Sequence, residues 1–196
     1  VSHDFRTPLT VILTSNEILE NYYERLTADR RKEQLGRIRQ QVFYMKSLLD
    51  DVLTLSQARS RKMELKPTPL ILDQFCRGIF EDIQITSNDS RQFIFHSEGR
   101  FDDLVMDEKL LQRILINLLT NAIKYSPDNS TVEFDLLRED RAVVFQIKDQ
   151  GRGIPPEKMT RLYEPFLRGN NIKDIPGTGL GMAIVYESVR AYGGTI

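Results

Sequence analysis

Cysteine, histidine and long apolar runs are scarce in this sequence of 196 residues, and each absence excludes a class of protein. Cys76 is the only cysteine, so neither a disulfide framework nor a thiolate metal cage is available, which fits a reducing compartment. The net charge is −1, whereas a broad nucleic-acid surface needs a basic excess. No apolar run reaches the ~18 residues that a membrane-spanning helix needs. We therefore expect a soluble fragment that contacts neither nucleic acid nor membrane.

The first part of the chain has the apolar spacing of a coiled coil. Apolar residues, with Asn16 as an exception, recur at alternating steps of three and four from Phe5 to Leu26 and again from Leu35 to Val52. The interruption between the two repeats is short, and short connections join antiparallel neighbours. The sequence therefore predicts an antiparallel helical hairpin over residues 1–58, with Thr27 as one candidate cap of the second helix and Asp29 as the other.

Further apolar residues lie beside this a/d stripe: Leu13, Ile18, Phe43, Leu48 and Leu53. A hairpin cannot cover two apolar faces by itself. A homodimer would cover them in a four-helix bundle, and the alternative is that another domain of the same chain covers the second face. We favour the dimeric bundle.

His3 and Asp4 form a candidate nucleophilic pair, and His96 is the only other histidine. A neutral imidazole can act as a nucleophile near neutral pH, and an adjacent carboxylate can orient the ring and accept its proton. Taken alone, such a pair is more often an ordinary exposed one.

The heptad register places this pair outside the predicted seam. With Phe5 at position d, His3 falls at b, Asp4 at c and Thr7 at f, so all three face away from the seam. Thr7 lies four residues after His3 and is its neighbour on the helix surface. Pro8 removes a helical hydrogen bond, which predicts a kink just after the pair.

A second domain follows a linker. Residues 59–69 are basic and contain two prolines, which predicts a linker that passes into a short strand. Over residues 70–196 helical and strand patterns mix, which indicates a two-layer α/β sandwich. The predicted helices are Ile71–Ile85, Asp107–Tyr125 and Thr178–Tyr192, and the predicted strands are Gln92–His96, Leu104–Met106, Thr131–Arg138 and Ala142–Asp149, the last two paired.

The predicted helix Asp107–Tyr125 carries polar residues at helical spacing. Asn117 and Asn121 are four residues apart, and Lys124 shares their side of the helix. Two amide oxygens and an ammonium suit Mg²⁺ and phosphate, because hard cations prefer oxygen ligands. The alternative is an ordinary polar face opposite an apolar one, which comprises Leu111, Ile114, Leu115, Leu118 and Ala122.

Two glycine-containing segments are further candidates for a ligand site. In Asp149–Ile154, the glycines let the chain turn and a flat ligand approach, and the carboxylate can accept a hydrogen bond from an exocyclic amine. Gly177–Gly181 opens the last predicted helix, where free N–H groups bind phosphate. The polar stretch Arg168–Asp174 before it is a candidate lid. Each segment also fits an ordinary turn or helix start.

Several familiar nucleotide motifs are missing. The sequence contains neither a G-x-x-x-x-G-K-[ST] loop nor the H-R-D and D-F-G pair of protein kinases. A strand, G-x-G-x-x-G and helix unit is also missing, which excludes a Rossmann site.

Taken together, the order and spacing of these segments resemble the catalytic core of a two-component sensor histidine kinase. Ser2–Leu9 resembles the family's H box, Asn117–Tyr125 its N box and Leu162–Phe166 its F box. Asp149–Gly153 and Gly177–Gly181 resemble its two glycine boxes. The resemblance implies a dimerising helical hairpin followed by an ATP-binding α/β sandwich of the Bergerat (GHKL) type. It also implies ATP:protein-histidine phosphotransfer.

The resemblance implies roles for the residues of the hairpin. His3 would take the γ-phosphoryl group of ATP, with Asp4 as its orienting partner and proton acceptor. The phosphohistidine would then donate to an aspartate of a response-regulator receiver domain. Thr7 matches the position that orients a water for dephosphorylating that partner.

The resemblance also implies an ATP and Mg²⁺ site. Asn121 would be the main Mg²⁺ ligand with Asn117 assisting, Asp149 would read adenine, and Tyr125 would line the pocket. The second glycine box would wrap the phosphates under the lid. The full set of implied nucleotide-binding positions is Asn117, Asn121, Lys124, Tyr125, Asp149, Gly151, Gly153, Arg168, Gly177, Thr178, Gly179, Leu180 and Gly181.

Two expectations about the parent protein follow from the resemblance. The fragment is expected to be cytoplasmic and its parent anchored in the inner (plasma) membrane. Family members usually add a strand after the segment that corresponds to residues 193–196, so we expect a truncated C-terminal end.

Two other functions compete with a histidine kinase. Hydrolytic ATPases of the same superfamily carry a glutamate four residues before the metal-binding asparagine, where this chain has Asn117, and an amide cannot act as a general base. A degenerate scaffold that only dimerises is the other alternative, but all the motif residues are intact.

Overall fold

The computed structural model describes residues 2–59, 64–87, 90–140, 142–167 and 178–196, with the backbone alone for residues 2, 3 and 59. The chain divides into two compact units, residues 1–56 and 57–196. In the described part of the chain, no helix combines the length and the apolar character needed to cross a lipid bilayer.

The first unit is the predicted helical hairpin. Helix α1 spans Ser2–Tyr22, a short 3₁₀ turn spans Tyr23–Arg25, and α2 spans Ala28–Arg59. Thr27 caps α2, because its side-chain oxygen accepts a hydrogen bond from the Arg30 N–H at 3.3 Å. Of the two candidate caps, the structure thus selects the threonine.

The connection between the two helices is fixed by Arg31. Its guanidinium donates to the carbonyls of Tyr23 and Leu26 at 3.0 and 3.1 Å. It also lies 4.1 Å from the centroid of the Tyr23 ring. A cation that meets both carbonyls and an aromatic face holds the turn in one conformation.

The covered face of α2 differs from the predicted a/d stripe. The predicted d and g positions between residues 34 and 55 are all buried or half-buried: Gln34, Ile38, Gln41, Met45, Leu48, Val52 and Leu55. Predicted a positions remain exposed, with Leu35 at 56%, Val42 at 51% and Leu49 at 53%. The apolar stripe is wide, and the single chain covers one of its edges and leaves the other exposed.

The second unit begins with short elements and continues into a mixed sheet. Its helices are α3 Leu72–Ser87, α4 Glu108–Tyr125, α5 Pro156–Met159 and α6 Gly181–Ala191. Its strands are β1 Thr68–Pro69, β2 Gln92–Glu98, β3 Val105–Met106, β4 Thr131–Glu139 and β5 Ala142–Lys148.

The main sheet has the order β2-β4-β5, with β2 parallel and β5 antiparallel to β4. The predicted pairing of the last two strands is confirmed, and Phe134 lies opposite Ile147. A separate antiparallel pair joins β1 to β3, with Thr68 opposite Met106. An antiparallel neighbour can follow a short turn, whereas the parallel pair β2 and β4 is connected through α4.

The core of this unit lies between the main sheet and helices α3 and α4. Val132, Phe134 and Leu136 alternate along β4 and are fully buried, as period-two packing requires. They pack with buried residues of the two helices, including Leu72, Cys76, Phe80, Leu111, Leu115 and Leu119. The Phe80 ring lies 5.6 to 5.9 Å from three other phenylalanine rings. This core fixes the rotation of α4 and therefore the direction of its polar residues.

Asp107 ties together the start of α4, the chain before β1 and the end of α6. Its Oδ1 accepts from the Leu110 N–H at 3.0 Å, and its Oδ2 accepts from the Lys66 N–H at 2.9 Å. The Tyr192 hydroxyl donates to the Asp107 carbonyl at 2.7 Å. Burial raises the pKa of Tyr192 to about 12.

The last helix begins later than predicted. We expected it from Thr178, but α6 begins at Gly181. Gly179 has a φ of +70°, a left-handed conformation that no helix accommodates. The described residues before α6 therefore form a turn that precedes the helix.

Candidate functional site

A cleft of about 450 Å³ opens in the second unit between α4, the turn after β5, α5 and the start of α6. The predicted site residues that line it are Asn117, Asn121, Lys124, Tyr125, Asp149, Gly153, Thr178, Gly179 and Gly181. Segments far apart in the sequence thus meet in one cavity.

The two asparagines of α4 have their amide nitrogens already engaged. Asn117 Nδ2 donates to the Arg113 carbonyl at 2.9 Å, one turn back along the helix. Asn121 Nδ2 donates to the Met182 sulfur at 3.6 Å. Each side chain is therefore held by its Nδ2 donor, and its amide oxygen remains as the acceptor. This donor set fits a hard cation.

Asn117 also explains the glycine that begins α6. A Cβ atom at Gly181 would lie 2.6 Å from Asn117 Oδ1, which is closer than normal van der Waals contact. A larger residue would therefore displace the Asn117 amide or move the start of α6 away from α4.

Lys124 and Tyr125 lie at the C-terminal end of α4. Lys124 Nζ lies 4.9 Å from the centroid of the Tyr125 ring, and both residues are half-buried and line the cleft. The ammonium brings positive charge to the cleft, and the ring gives it a flat apolar wall. This combination suits a ligand that has both an aromatic part and an anionic part.

The Asp149 carboxylate is held in place by its neighbours. Its Oδ1 accepts from the Gly151 N–H at 2.7 Å and from the Ser126 hydroxyl at 3.5 Å. A Cβ atom at Gly151 would lie 2.6 Å from that oxygen and 2.8 Å from the Tyr125 carbonyl. Gly151 is not among the residues that line the cleft, so it positions the carboxylate and does not itself form the wall.

The second glycine segment is anchored to the residues after α5. The Phe166 N–H donates to the Gly179 carbonyl at 2.9 Å, and a Cβ atom at Gly179 would lie 3.0 Å from Phe166 Cα. Thr178 Oγ1 accepts from the Leu180 N–H at 3.1 Å. Leu180 is fully buried and absent from the cleft lining, so its side chain serves the core. Arg168, Gly177 and the predicted lid lie outside the described residues.

The hairpin residues lie on α1. The backbone of His3 is helical, and its side chain lies outside the described residues. Asp4 is half-buried and Thr7 is exposed. Helix α1 continues through Pro8, which is buried.

Several residues of the cleft were not among the predicted site residues: Thr120, Ile147, Pro155, Lys158, Leu162, Leu167 and Met182. Arg152 and Ile154 also line it, within the predicted segment Asp149–Ile154. Ile147 lies two residues before Asp149, so the strand period of two was a signal that could have identified it.

One assignment on α4 was wrong. Leu118 was placed in the core, but it lines the cleft, and the buried residue is Leu119. Leu118 lies three residues before Asn121 and therefore shares its face of the helix. In the described residues no group of three His, Cys, Asp or Glu side chains could hold a metal ion.

Two protein-family models match successive parts of the chain, in the order in which the motifs occur. Residues 1–61 match the His Kinase A (phospho-acceptor) domain. Residues 106–196 match the histidine kinase-, DNA gyrase B- and HSP90-like ATPase family.

Similar proteins match over the whole chain. Sensor histidine kinase YvrG of Bacillus subtilis is 29% identical over 100% of this chain and 34% of its own length. Adaptive-response sensory kinase SasA of Gloeothece citriformis is 32% identical over 100% of this chain and 51% of its own length. The chain therefore spans about a third to a half of these curated relatives.

Solved structures have the same architecture. Full-length ShkA in complex with AMPPNP matches with a TM-score of 0.74 at 26% identity, over 99% of this chain and 40% of that one. Histidine kinase ThkA in complex with response regulator protein TrrA shares the fold, with a TM-score of 0.61 at 21% identity, over 86% of this chain and 49% of that one. The hairpin, the α/β domain with its cleft, and these matches agree, and the chain belongs to the two-component sensor histidine kinases.

Proposed function

We propose that this chain is an ATP-dependent protein histidine kinase that phosphorylates its own His3 and passes the phosphoryl group to an aspartate of a response-regulator receiver domain. The observation that carries the proposal is the cleft, whose lining brings together Asn117, Asn121 and Asp149, with the amide nitrogens of both asparagines engaged elsewhere. The matched phospho-acceptor domain, residues 1–61, supplies the acceptor histidine.

The dimensions of the cleft suit a nucleoside triphosphate. Asn117 and Tyr125 are separated by roughly 12 Å along α4, at about 1.5 Å per residue. Gly181 meets α4 at Asn117, and Asp149 meets it just beyond Tyr125. The adenine would lie against Tyr125, with its exocyclic amine donating to Asp149. The phosphates would extend toward Asn117.

The other predicted nucleotide contacts belong to the same proposal. Lys124 and Arg168 would contact the phosphates as cations. Gly153 would let the base approach the backbone. Thr178 and the glycines of Gly177–Gly181 would wrap the phosphates.

Asn121, with Asn117 assisting, would hold Mg²⁺. Their amide oxygens are hard ligands, and their amide nitrogens are engaged elsewhere. Bound Mg²⁺ would neutralise phosphate charge, which is the main requirement of phosphoryl transfer.

The transfer uses the hairpin residues. An unprotonated ring nitrogen of His3 attacks the γ-phosphorus of ATP, the bond to the bridging oxygen breaks, and ADP leaves. The proton on the other ring nitrogen passes to Asp4, which also orients the ring. A receiver aspartate then attacks the phosphorus and restores His3. Thr7, exposed on α1, would orient a water that attacks the phosphorus of the phosphorylated receiver aspartate, so that the aspartate leaves and inorganic phosphate is released.

The receiver partner is supported by one related structure. The complex of ThkA with TrrA pairs a kinase of this fold with a response regulator.

For the parent protein, the resemblance supports an anchor in the inner membrane.

A second copy of the hairpin would complete a four-helix bundle. Leu35, Val42 and Leu49 form an exposed apolar stripe on α2, and Leu9 is 45% exposed on α1. A matching stripe on a second chain would cover these side chains, and because each is already about half covered, its remaining burial would contribute about 1 kcal/mol.

Hydrolysis is the less favoured alternative. At the position where hydrolytic relatives carry a glutamate, the amide of Asn117 donates to its own helix and cannot accept a proton from water. A degenerate scaffold would lack the oriented asparagine pair that this cleft contains.

Labelled ATP with Mg²⁺ separates the three functions. A kinase gives a protein label that is labile to acid and stable to alkali, and His3→Gln abolishes it. His96→Gln is the matched control, because His96 is exposed on β2 and should leave the label unchanged. Release of free phosphate without labelled protein would contradict the kinase, and absence of both products would support the scaffold.

A further inference from the structure

The segment from Ser126 to Ser130 joins α4 to β4 and passes beside the turn that carries Asp149. The Ser126 hydroxyl donates to Asp149 Oδ1 at 3.5 Å. At the other end, the Thr131 N–H donates to the Gln150 side-chain carbonyl at 3.0 Å. The segment therefore contacts the turn at both ends, and its position contributes, together with the shorter bond from the Gly151 N–H, to where the carboxylate stands.

Arg91, just before β2, holds this segment. Its Nη2 donates to the Ser126 carbonyl at 2.9 Å, and its Nε donates to the Pro127 carbonyl at 3.2 Å. Nη2 also lies 3.3 Å from Asp128 Oδ1. Two consecutive carbonyls are thus bound by one guanidinium.

Burial shows which of these contacts matter. The Arg91 side chain is 9% exposed, whereas that of Asp128 is 84% exposed. Solvent screens the ion pair with the exposed carboxylate, so that pair contributes little. The bond to the Ser126 carbonyl is partly buried, and breaking it would leave a backbone acceptor poorly satisfied, whereas the Pro127 carbonyl is exposed to solvent. The planar fork of an arginine can bind adjacent carbonyls, which the single ammonium of a lysine cannot reproduce.

We propose that Arg91 is a positioning residue for nucleotide recognition: through Ser126 it sets the place of the Asp149 carboxylate and thereby the selectivity for adenine over guanine. This proposal rests on the proposed function, which assigns adenine to Asp149. Guanine presents a carbonyl where adenine presents the exocyclic amine, so a correctly placed carboxylate favours ATP and repels GTP. A displaced carboxylate discriminates less.

The test compares Mg-ATP and Mg-GTP affinities of purified variants by calorimetry. Arg91→Lys keeps the positive charge but removes the planar guanidinium that donates to both carbonyls. It should weaken ATP binding by about three- to tenfold, the range of one or two hydrogen bonds, and change GTP binding less. The ratio of the two affinities should therefore fall. Asp128→Asn and Arg100→Lys are matched controls, and both should keep the ratio of the unmodified chain.

A second variant separates positioning from folding. Ser126→Ala removes the hydroxyl that reaches Asp149 and leaves the carbonyl that Arg91 binds, so it should lower the same ratio with little change in melting temperature. If Arg91 acts through Ser126, the double variant should lower the ratio no further than the larger single effect.

Three results would overturn the proposal in distinguishable ways. If Arg91→Lys lost ATP and GTP affinity equally, or if Ser126→Ala left the ratio of the two affinities unchanged, Arg91 would have only a structural role. A double variant with fully additive effects would disprove the route through Ser126. An unmodified chain that binds no ATP, or does not prefer it, would refute the proposed function itself.

Discussion

The two units of this protein bury their side chains in different ways. In the second unit, Leu115, Leu119 and Phe134 are completely buried within one apolar core. In the first unit, large apolar side chains such as Leu13 and Phe43 are 61% and 64% exposed. Both units bury some polar residues, for example Gln34 in the first and Ser188 in the second, so the difference between them lies in the apolar side chains.

The α/β unit thus completes its core within one chain, whereas the hairpin does not. The exposed side chains of the hairpin lie along the edge of a stripe whose other edge is covered, which is the pattern of half an interface. Stability of the second unit should therefore be a property of the monomer, and that of the first should depend on protein concentration.

The largest effect is expected from a matched pair of leucines, one in each unit. Leu115→Ala removes a fully buried side chain and should destabilise the second unit by about 2–5 kcal/mol at any protein concentration. Leu49→Ala removes a 53% exposed side chain and should change the stability only where dimers form. Urea denaturation at several protein concentrations measures both. Equal losses in dilute solution would show that the two units do not differ in this way.

A pair of glycines tests the same contrast at the level of the site. A side chain at Gly181 would collide with Asn117, so Gly181→Ala should weaken Mg-ATP binding by about tenfold or more, since a shift of one helix misplaces a ligand. A Cβ atom at Gly36, in α2, would meet nothing within 4 Å. Gly36→Ala should stabilise the hairpin by about 0.5–1 kcal/mol because alanine favours helix. Calorimetric titration and thermal melting provide the two readouts, and unchanged nucleotide affinity in the first variant would be the contrary result.

Tyr192→Phe should cost about 1 kcal/mol, because it removes one hydrogen bond to the Asp107 carbonyl. Alkaline pH adds a second readout. The folded-state pKa of about 12 lies above the ordinary 10, so this tyrosine's contribution is present below pH 10 and is lost as pH rises toward 12. The buried Cys76 thiol, with its pKa raised to about 12, adds a loss in an overlapping range. The difference between the variant and the parent chain isolates the tyrosine. If the stability of the Tyr192→Phe variant and that of the unmodified chain fell in parallel above pH 10, this role of Tyr192 would be contradicted.

The smallest effect is expected for Glu33→Gln on the hairpin surface. Glu33 lies 2.8 Å from both Arg30 and Arg37. The hydrogen bond from Arg30 and the charge of Arg37 hold the pKa of Glu33 below its usual value. The benefit is therefore present above the ordinary carboxyl pKa and is lost as pH falls below it. Because the carboxylate is exposed, high salt should erase the difference between variant and parent. A salt-independent loss would point to a different cause.

Much of the fold could be predicted because periodicity reports which residues share a face. The heptad steps predicted the hairpin, and the alternation along β4 predicted a strand with one buried side. Periodicity does not report which edge of a wide stripe one chain covers by itself, and Val42 lies on the edge that stays exposed. For the same reason Leu118 was exchanged with Leu119 at the edge of the cleft.

The long-range hydrogen bonds could not be predicted from the sequence. Arg91 reaches the Ser126 carbonyl across 35 positions, and no spacing rule predicts such a pair. The support of Asp149 therefore emerged only from the three-dimensional arrangement. The chemistry-bearing residues themselves could be identified, because asparagines one helical turn apart and glycines beside a carboxylate are local patterns.

Asp107 acts as a mechanical junction. One carboxylate grips both the backbone at Lys66 and the first turn of α4, and the carbonyl of the same residue is held by the end of α6. A displacement of the chain at Lys66 would therefore act directly on the first turn of α4. Asn121 lies on the same helix, about 21 Å from Asp107 at 1.5 Å per residue.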